Sequence, residues 1–529
     1  MLCCGLLSLE ASATEVIQPV LGTQSMLGSG DRADDPAIWV NQRDTSKSIV
    51  FGVNKSRDGV NGGVYSFKLD GKATTQQAWE EGVNLFEKGE RYNNIDLRYG
   101  FKAGSERWDI VCASNRSDRE IDVFRVITNS QGNFVRLEHV GEVPIGSGFI
   151  QEEEDAPYGL GMYHAKDLDK HFVLISDKEG RVGQYELSFN PQGSGDNQVI
   201  GSRVAGPLDV SRDESEVEGI VADDDRGVIY IAAEDNGIYR YPTNQNGVIV
   251  NNRVVVANEA DKDYLQADLE GLALYQGADG SGYLIASVQE INEYAVFDRE
   301  YSGNGANRYL KSVRIAGVEK TDGLDVSSTN FGGAFSKGLI VVHDGVNPNI
   351  TNYKFAKWED LADAGNPKLD SNPDQPASGT INVRFNNNQL SNYSGQHKSG
   401  TVFVSNSNRN IRIQGNSWKK FELNYEVTAN TVLEFEYKTD NQGEIIGIGL
   451  DSNNNHKDRI TSFQLTGNQN WTNAYSDYKT PSSRSFQQVQ IPVGSFFTGS
   501  IQYLTLIADD DNNALANVVF KNVTVREKN

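Results

Sequence analysis

Short runs of alternating apolar and polar residues, many ending in an aromatic side chain, recur along the first two thirds of the chain. GVYSF ends at Phe67, IDVF at Phe124, VGQY at Tyr185, GIYRY at Tyr241, YAVF at Phe297 and TNYKF at Phe355. The gaps between them are 57, 61, 56, 56 and 58 residues. A period of two over so few residues predicts β-strands. Before each lies another apolar strand with a polar end: IVFGVNK to Lys55, DIVCASNR to Arg116, FVLISDK to Lys178, VIYIAAED to Asp235, YLIASVQE to Glu290 and LIVVHD to Asp344. A third strand precedes those. It reads DDPAIW at 34–39, NNIDLRY at 93–99, APYGLGMY at 156–163, EVEGIVAD at 216–223, DLEGLALY at 268–275 and KTDGLDV at 320–326. Pro36 removes a backbone donor, so the first ladder is expected to begin only after it.

Six units of three or four short strands predict an all-β chain built on a six-bladed β-propeller, over residues 14–365. A β-sandwich with accidental periodicity is the competing reading. After Trp358-Glu359-Asp360 the pattern stops, and the proline-bearing stretch 366–377 reads as a linker. Residues 378–529 carry alternating strands such as TVLEFEYKT at 431–439 and predict a smaller β-sandwich.

Composition narrows the picture. No apolar run approaches the ~20 residues of a membrane helix. A net charge of −23 with pI near 4.8 argues against a nucleic-acid partner. Residues 1–13, MLCCGLLSLEASA, read as a signal peptide lacking its basic n-region, which implies a secreted or periplasmic protein. Cys112 would then be the one remaining thiol, in an apolar run, as a small buried hydrophobe.

In a propeller, equivalent positions of all blades converge on one end of the channel. The acids opening the inner strands are Asp34, Asp35, Glu218, Asp268, Glu270 and Asp322, with Tyr158 beside them. The next strands end in Lys55, Arg116, Lys178, Glu179, Glu234 and Asp344. Blades one to three thus offer cations and blades four to six mostly acids. Crowded carboxylates repel unless a cation sits among them. With only oxygen ligands on offer, that cation is expected to be Ca²⁺, in several copies. The basic half suits an oxyanion, and the combination favours hydrolysis of a phosphate ester by metal-activated water. Solvated loop charges around one structural calcium are the bland alternative. No Arg-His-Gly stretch, cysteine-phosphatase loop or GxxxxGK motif is present, which argues against a phosphoenzyme.

DDPAIW at 34–39 resembles the signature of the bacterial β-propeller phytases, calcium-dependent alkaline phytases. The likeness continues through NNIDLRYGF at 93–101, ASNRS at 113–117, PYGL at 157–160, DKEG at 177–180, EGIVADD at 218–224, DLEGL at 268–272 and TDGLDV at 321–326. The resemblance implies a six-bladed propeller that hydrolyses the calcium complex of myo-inositol hexakisphosphate, as a 3-phytase with a cleavage pocket and an affinity pocket. It implies that Lys55, Arg116, Tyr158 and Lys178 hold the scissile phosphate. Glu179, Glu218, Glu234, Glu270 and Asp322 would bind calcium and position water, and Asp34 and Asp35 would hold calcium near the channel. Asp268 and Asp344 complete the expected metal ligands. Ser56-Arg57 follows Lys55 where many relatives have a second lysine, so Arg57 would have to stand in for it in the affinity pocket.

The resemblance ends near residue 365. In the sandwich, Trp418, Trp471, Tyr475 and Tyr478 suggest a carbohydrate-binding module for polysaccharide, and the loops at 451–455 and 509–513 a structural calcium. Core tryptophans and solvated turns are the plainer reading. The whole is read as a monomer. A calcium-dependent propeller lactonase and a glycan-binding surface adhesin are the alternative functions.

Overall fold

Alternation along each strand sends side chains to two opposite faces, and both faces are buried. In the first sheet Val50, Tyr65 and Phe67 pack with Val341, Tyr353 and Phe355 of the last sheet. Ile49, Phe51, Val53 and Val64 of the same strands pack with Ile95, Leu97, Val111 and Phe124 of the second. The core therefore lies between sheets, as a set of apolar layers. A computed structural model of the chain describes residues 14–527, apart from 29, 57–61, 75–89, 105, 151, 153–154, 212–214, 259–263, 278–280, 302–304, 348–349, 372–380, 386–389, 406–407, 458–460 and 513–514. The expected signal peptide and Arg57 lie outside the described residues.

Among the described residues, six sheets follow one another up to Lys357, antiparallel but for one N-terminal strand. The first has three strands, Ala33–Trp39, Ile49–Asn54 and Gly63–Lys68. The second to fourth have four each, with inner strands Tyr92–Ala103, Leu160–Ala165 and Val217–Asp223. The fifth opens with Leu269–Gln276 and the sixth with Leu324–Ser327. Each inner strand touches the inner strand of the next sheet, and the sixth touches the first. The sheets thus stand as the blades of a propeller around one axis. The N-terminal segment completes the ring. Leu21–Gly22 forms the outer strand of the sixth sheet, against Phe355 and Lys354, and Glu15–Ile17 pairs in parallel with the outer strand of the fifth.

Two strand starts differ from expectation for identifiable reasons. Pro36 lies inside its strand, because a bulge between Ala33 and Pro36 absorbs the missing donor while Ala33 still pairs with Asn54. The sixth inner strand begins at Leu324 and not at Lys320, whose φ of 48° takes it out of extended geometry. Glycines precede the regular part of the third and fourth inner strands. A Cβ on Gly159 would meet the carbonyl oxygen of Glu218, and one on Gly219 that of Glu270.

From Ile381 onward, the described residues form two sheets of six and five strands that face each other across a core that includes Phe385, Phe435, Leu450 and Phe520. No helix of the described residues is long and apolar enough to cross a membrane.

Candidate active site

The repeat places one side chain per blade at the mouth of the channel. In each inner strand the regular pairing starts at Pro36, Ile95, Leu160, Ile220, Leu272 and Leu324. Two residues earlier stand Asp34, Asn93, Tyr158, Glu218, Glu270 and Asp322. All six line one cleft of about 250 Å³. The second strands of blades one, two, three and five add a second ring, in which Lys55, Arg116, Lys178 and Gln289 line the same cleft with Asp31 and Arg91.

On the basic side, Tyr158 is flanked by two cations. The Lys178 ammonium lies 4.4 Å from its ring centre and the Arg116 guanidinium 5.2 Å. Arg116 Nη1 donates to Asn93 Oδ1 at 2.6 Å, and Lys178 Nζ donates to Glu216 Oε2 at 2.6 Å. Lys55 Nζ sits among Asp322 at 2.7 Å, Asp31 at 3.0 Å and Asp34 at 3.3 Å. Burial opposes its charge, but these carboxylates outweigh burial and hold the ammonium well above its ordinary range. Burial likewise pushes Asp322 up, but Lys55, His343 and Lys320 together outweigh it, so its carboxyl ends below the usual range.

On the acidic side, Glu218, Glu234 and Glu270 bring carboxylate oxygens within 4.8 Å of one another. All three are buried. Burial, then Glu218 and Glu216, push Glu234 up to about 9. Burial, then Glu218 and Glu234, raise Glu270 well above its ordinary value. Glu270 Oε2 is buried without a hydrogen-bond donor among the described residues. Three such carboxylates cannot all ionise in so small a volume unless a cation neutralises them. The oxygen-only donor set fits a hard divalent ion. Asp31, Asp322 and His343 form a second close group, in which a ring nitrogen takes the place of one carboxylate oxygen. Asn93 joins the two halves. Its Oδ1 accepts from Arg116, and its Nδ2 donates to Glu218 Oε1 at 2.8 Å. Tyr158 does the same, donating its hydroxyl to Glu234 Oε1 at 3.2 Å.

Other candidate residues stand apart. Asp35 points into the channel beside Asp96 and Asp325, and its Oδ2 accepts the Ile95 N–H at 3.3 Å. Neighbouring strand residues face opposite ways, so Asp34 and Asp35 serve different spaces. The same rule removes Asp344. It is one residue short of the second-ring position and pairs with Lys354 at 3.2 Å. Glu179, one residue past that ring, is half exposed and pairs with Arg181 at 2.9 Å. Asp268 lies beside the cleft, next to Asp235, Glu290 and Glu216 in the field it feels.

Asn93, Gln289, Arg91 and Asp31 were not singled out from sequence. Gln289 Nε2 donates to Asp322 Oδ1 at 2.5 Å and Glu270 Oε1 at 3.3 Å. The signal that could have found Asn93 and Gln289 is their place in the repeat, since neither carries charge.

A larger cleft of about 580 Å³ lies elsewhere, but its cations serve nearby acids. Lys166 pairs with Asp225 at 2.7 Å and Arg299 with Asp223 at 2.5 Å. In the sandwich, Trp418 is only 4% exposed and donates Nε1 to Asp509, so it is part of the core. Glu444, Asp509 and Asp511 form a further acidic group there.

A family model described as Phytase matches residues 5–384. The chain belongs to the phytase family. The match runs past residue 365, into the first strand of the sandwich. The 3-phytase of Bacillus subtilis (strain 168) is 32% identical to this phytase over 355 residues, 64% of this chain and 83% of that protein. Among solved structures, Trypanosoma rangeli sialidase aligns with a TM-score of 0.35 at 10% identity, covering 97% of this chain and 96% of that one. The β-propeller domain of Myceliophteria thermophila Cps50 (Swd1) aligns at 0.33 and 10% identity, covering 61% and 83%.

Proposed function

We propose that this phytase is a secreted, calcium-dependent enzyme that removes phosphate from myo-inositol hexakisphosphate at the propeller mouth. The observation that carries the reading is the division of one cleft into two halves. Lys55, Arg116 and Lys178 gather at Tyr158 and Asp322, opposite the carboxylates of Glu218, Glu234 and Glu270. A polyanion needs the first half, and a phosphate ester is stable enough to need the second.

Glu218, Glu234 and Glu270 would hold one calcium ion, and Asp31 and Asp322, with Asp34 beside them, would face a second. Bound there, calcium supplies positive charge to the phosphoryl oxygens and makes a nearby water easier to deprotonate. The chain's own residues do the rest. Arg116 offers a planar fork of N–H donors, while Lys178 and Lys55 act as point charges. The Tyr158 ring packs against both Arg116 and Lys178, which would present the two cations to the phosphate together. Asn93 holds Arg116 and Glu218 in register, so cation and acid meet the substrate in fixed geometry. The affinity pocket expected around Arg57 lies outside the described residues.

The test is phosphate release from phytate with calcium present and after chelation. Release with calcium and loss on chelation are expected; no release under either condition sinks the proposal. Lys178→Ala and Glu218→Ala should abolish turnover with the fold intact, as read by circular dichroism.

A further inference from the structure

The second strand of every blade carries one residue just past the first regular inner pair. The pairs are Pro36–Gly52, Ile95–Ala113, Leu160–Ile175, Ile220–Ile231, Leu272–Ala286 and Leu324–Val342. The residue that follows is Val53, Ser114, Ser176, Ala232, Ser287 and, in the last blade, His343. Five blades use a small side chain where the sixth buries an imidazole, 1% exposed.

The exchange has a geometric consequence. In blades two and three the serine hydroxyl accepts the N–H of the residue just before the pair, Asn94 at 2.9 Å and Gly159 at 2.8 Å. The longer imidazole reaches one residue further back, and Nδ1 accepts the Asp322 N–H at 3.1 Å. The His343 N–H meanwhile donates to the Gly323 carbonyl at 3.1 Å. Blade six needs this support more than most. In blades one, two, four and five, strand pairing resumes beyond the bulge, at Ala33–Asn54, Tyr92–Asn115, Val217–Ala233 and Leu269–Val288. In blade six the inner strand starts only at Leu324. Asp322 nevertheless carries the carboxylate that meets Lys55 and Gln289 at 2.7 and 2.5 Å.

We propose that His343 is a positioning residue of the phytase reaction, replacing the absent ladder bond and fixing the backbone of Asp322. This rests on the reading of the mouth as the catalytic site. His343 itself reaches no substrate; it acts through Asp322 and the Lys55 that Asp322 orients.

The test compares His343→Gln with His343→Leu. Gln offers an amide oxygen to the Asp322 N–H; Leu fills space and offers nothing. Hydrogen exchange of residues 320–323, thermal midpoint and phosphate release from phytate are measured on each full-length variant. Leu should exchange this segment faster and lose roughly 10- to 100-fold in kcat, the range for a lost outer support. Gln should stay close to the parent in both. If the Leu variant does not fold, His343→Ser replaces it, since blades two, three and five fold around Ser and its hydroxyl stops short of Asp322. Unchanged exchange in Leu and Ser overturns the proposal, as does equal loss of turnover in Gln and Leu. Full turnover despite faster exchange also overturns it. If Lys178→Ala and Glu218→Ala are dead while His343→Leu is active, the positioning role fails and the site reading stands. If all three remain active, the site reading itself fails.

Discussion

Asn93 is uncharged, yet it touches both halves of the mouth. Its amide oxygen takes the Arg116 bond and its amide nitrogen supplies Glu218. Truncation removes both at once and takes one hydrogen bond each from a buried guanidinium and a buried carboxylate. Asn93→Ala should therefore lower kcat/KM for phytate by roughly 10-fold or more, the scale for losing an outer support of a charged site. Steady-state phosphate release measures it, and an unchanged value would show that the two halves work independently. This residue also marks the limit of what sequence reasoning could see. Lys55, Arg116, Lys178, Glu218, Glu270 and Asp322 announce themselves by charge at repeat ends, and the structure gathers them in one cleft. Asn93 and Gln289 carry no charge and are visible only once blades are aligned residue by residue. Asp344 and Glu179 are charged and at repeat ends, but each is one residue off the ring. In a strand one residue is a full change of face.

The hairpin of blade three carries a titratable device away from the mouth. His164 and His171 are a cross-strand pair, stacked with ring centres 4.0 Å apart. Burial, then His171 and Lys166, lower His164 to about 2. Burial lowers His171 to about 4, opposed by its bond to the Tyr99 carbonyl and by Asp169, and helped by Arg98 and Arg107. Both folded values lie below the unfolded value near 6.5, so below that pH the unfolded chain binds more protons. Their stabilising contribution is present above pH ~6.5 and is lost as pH falls below it. His171→Phe keeps an aromatic beside Phe101 and removes one titration. The thermal midpoint of the parent should drop more steeply between pH 6.5 and 4.5 than that of the variant. Parallel curves would show that the pair does not govern acid sensitivity. Strand starts illustrate the same scale of argument. The apolar alternation located every inner strand, but the bulge at Pro36 and the late start at Leu324 depend on partners far along the chain. Ala33 pairs with Asn54, and Asp322 leans on His343.

Across the whole molecule, carboxylates knit one blade to the next. Asp325 accepts the Ile38 N–H at 2.7 Å, Asp96 the Met162 N–H at 2.7 Å and Asp224 the His164 N–H at 3.0 Å. These bonds run between inner strands, where an unpaired backbone donor would be costly. A ring of this kind is only as strong as its closure. The sixth sheet draws its outer strand from the N-terminal segment: Leu21 pairs with Phe355, the Thr23 N–H donates to the Tyr353 carbonyl at 2.8 Å, and the Asn352 amide donates to the Thr23 carbonyl at 2.9 Å. One step earlier, Ile17, 7% exposed, enters the apolar layer between blades five and six beside Ile315 and Trp358. Removing residues up to Gly22 should cost about 2 kcal/mol for the buried Ile17 side chain alone. Exposed strand edges and lost ladder bonds add to that. The thermal midpoint of the truncated chain should fall by about 3 °C or more, the conversion for a propeller of roughly 350 residues. Because the mouth is built from residues further along the chain, phosphate release per folded molecule at low temperature should persist. Calorimetry and an assay at ~20 °C read the two separately. An unchanged midpoint would mean that the blade contacts alone close the ring. Lost activity at full folding would mean that the N-terminal strands shape the mouth as well as seal it.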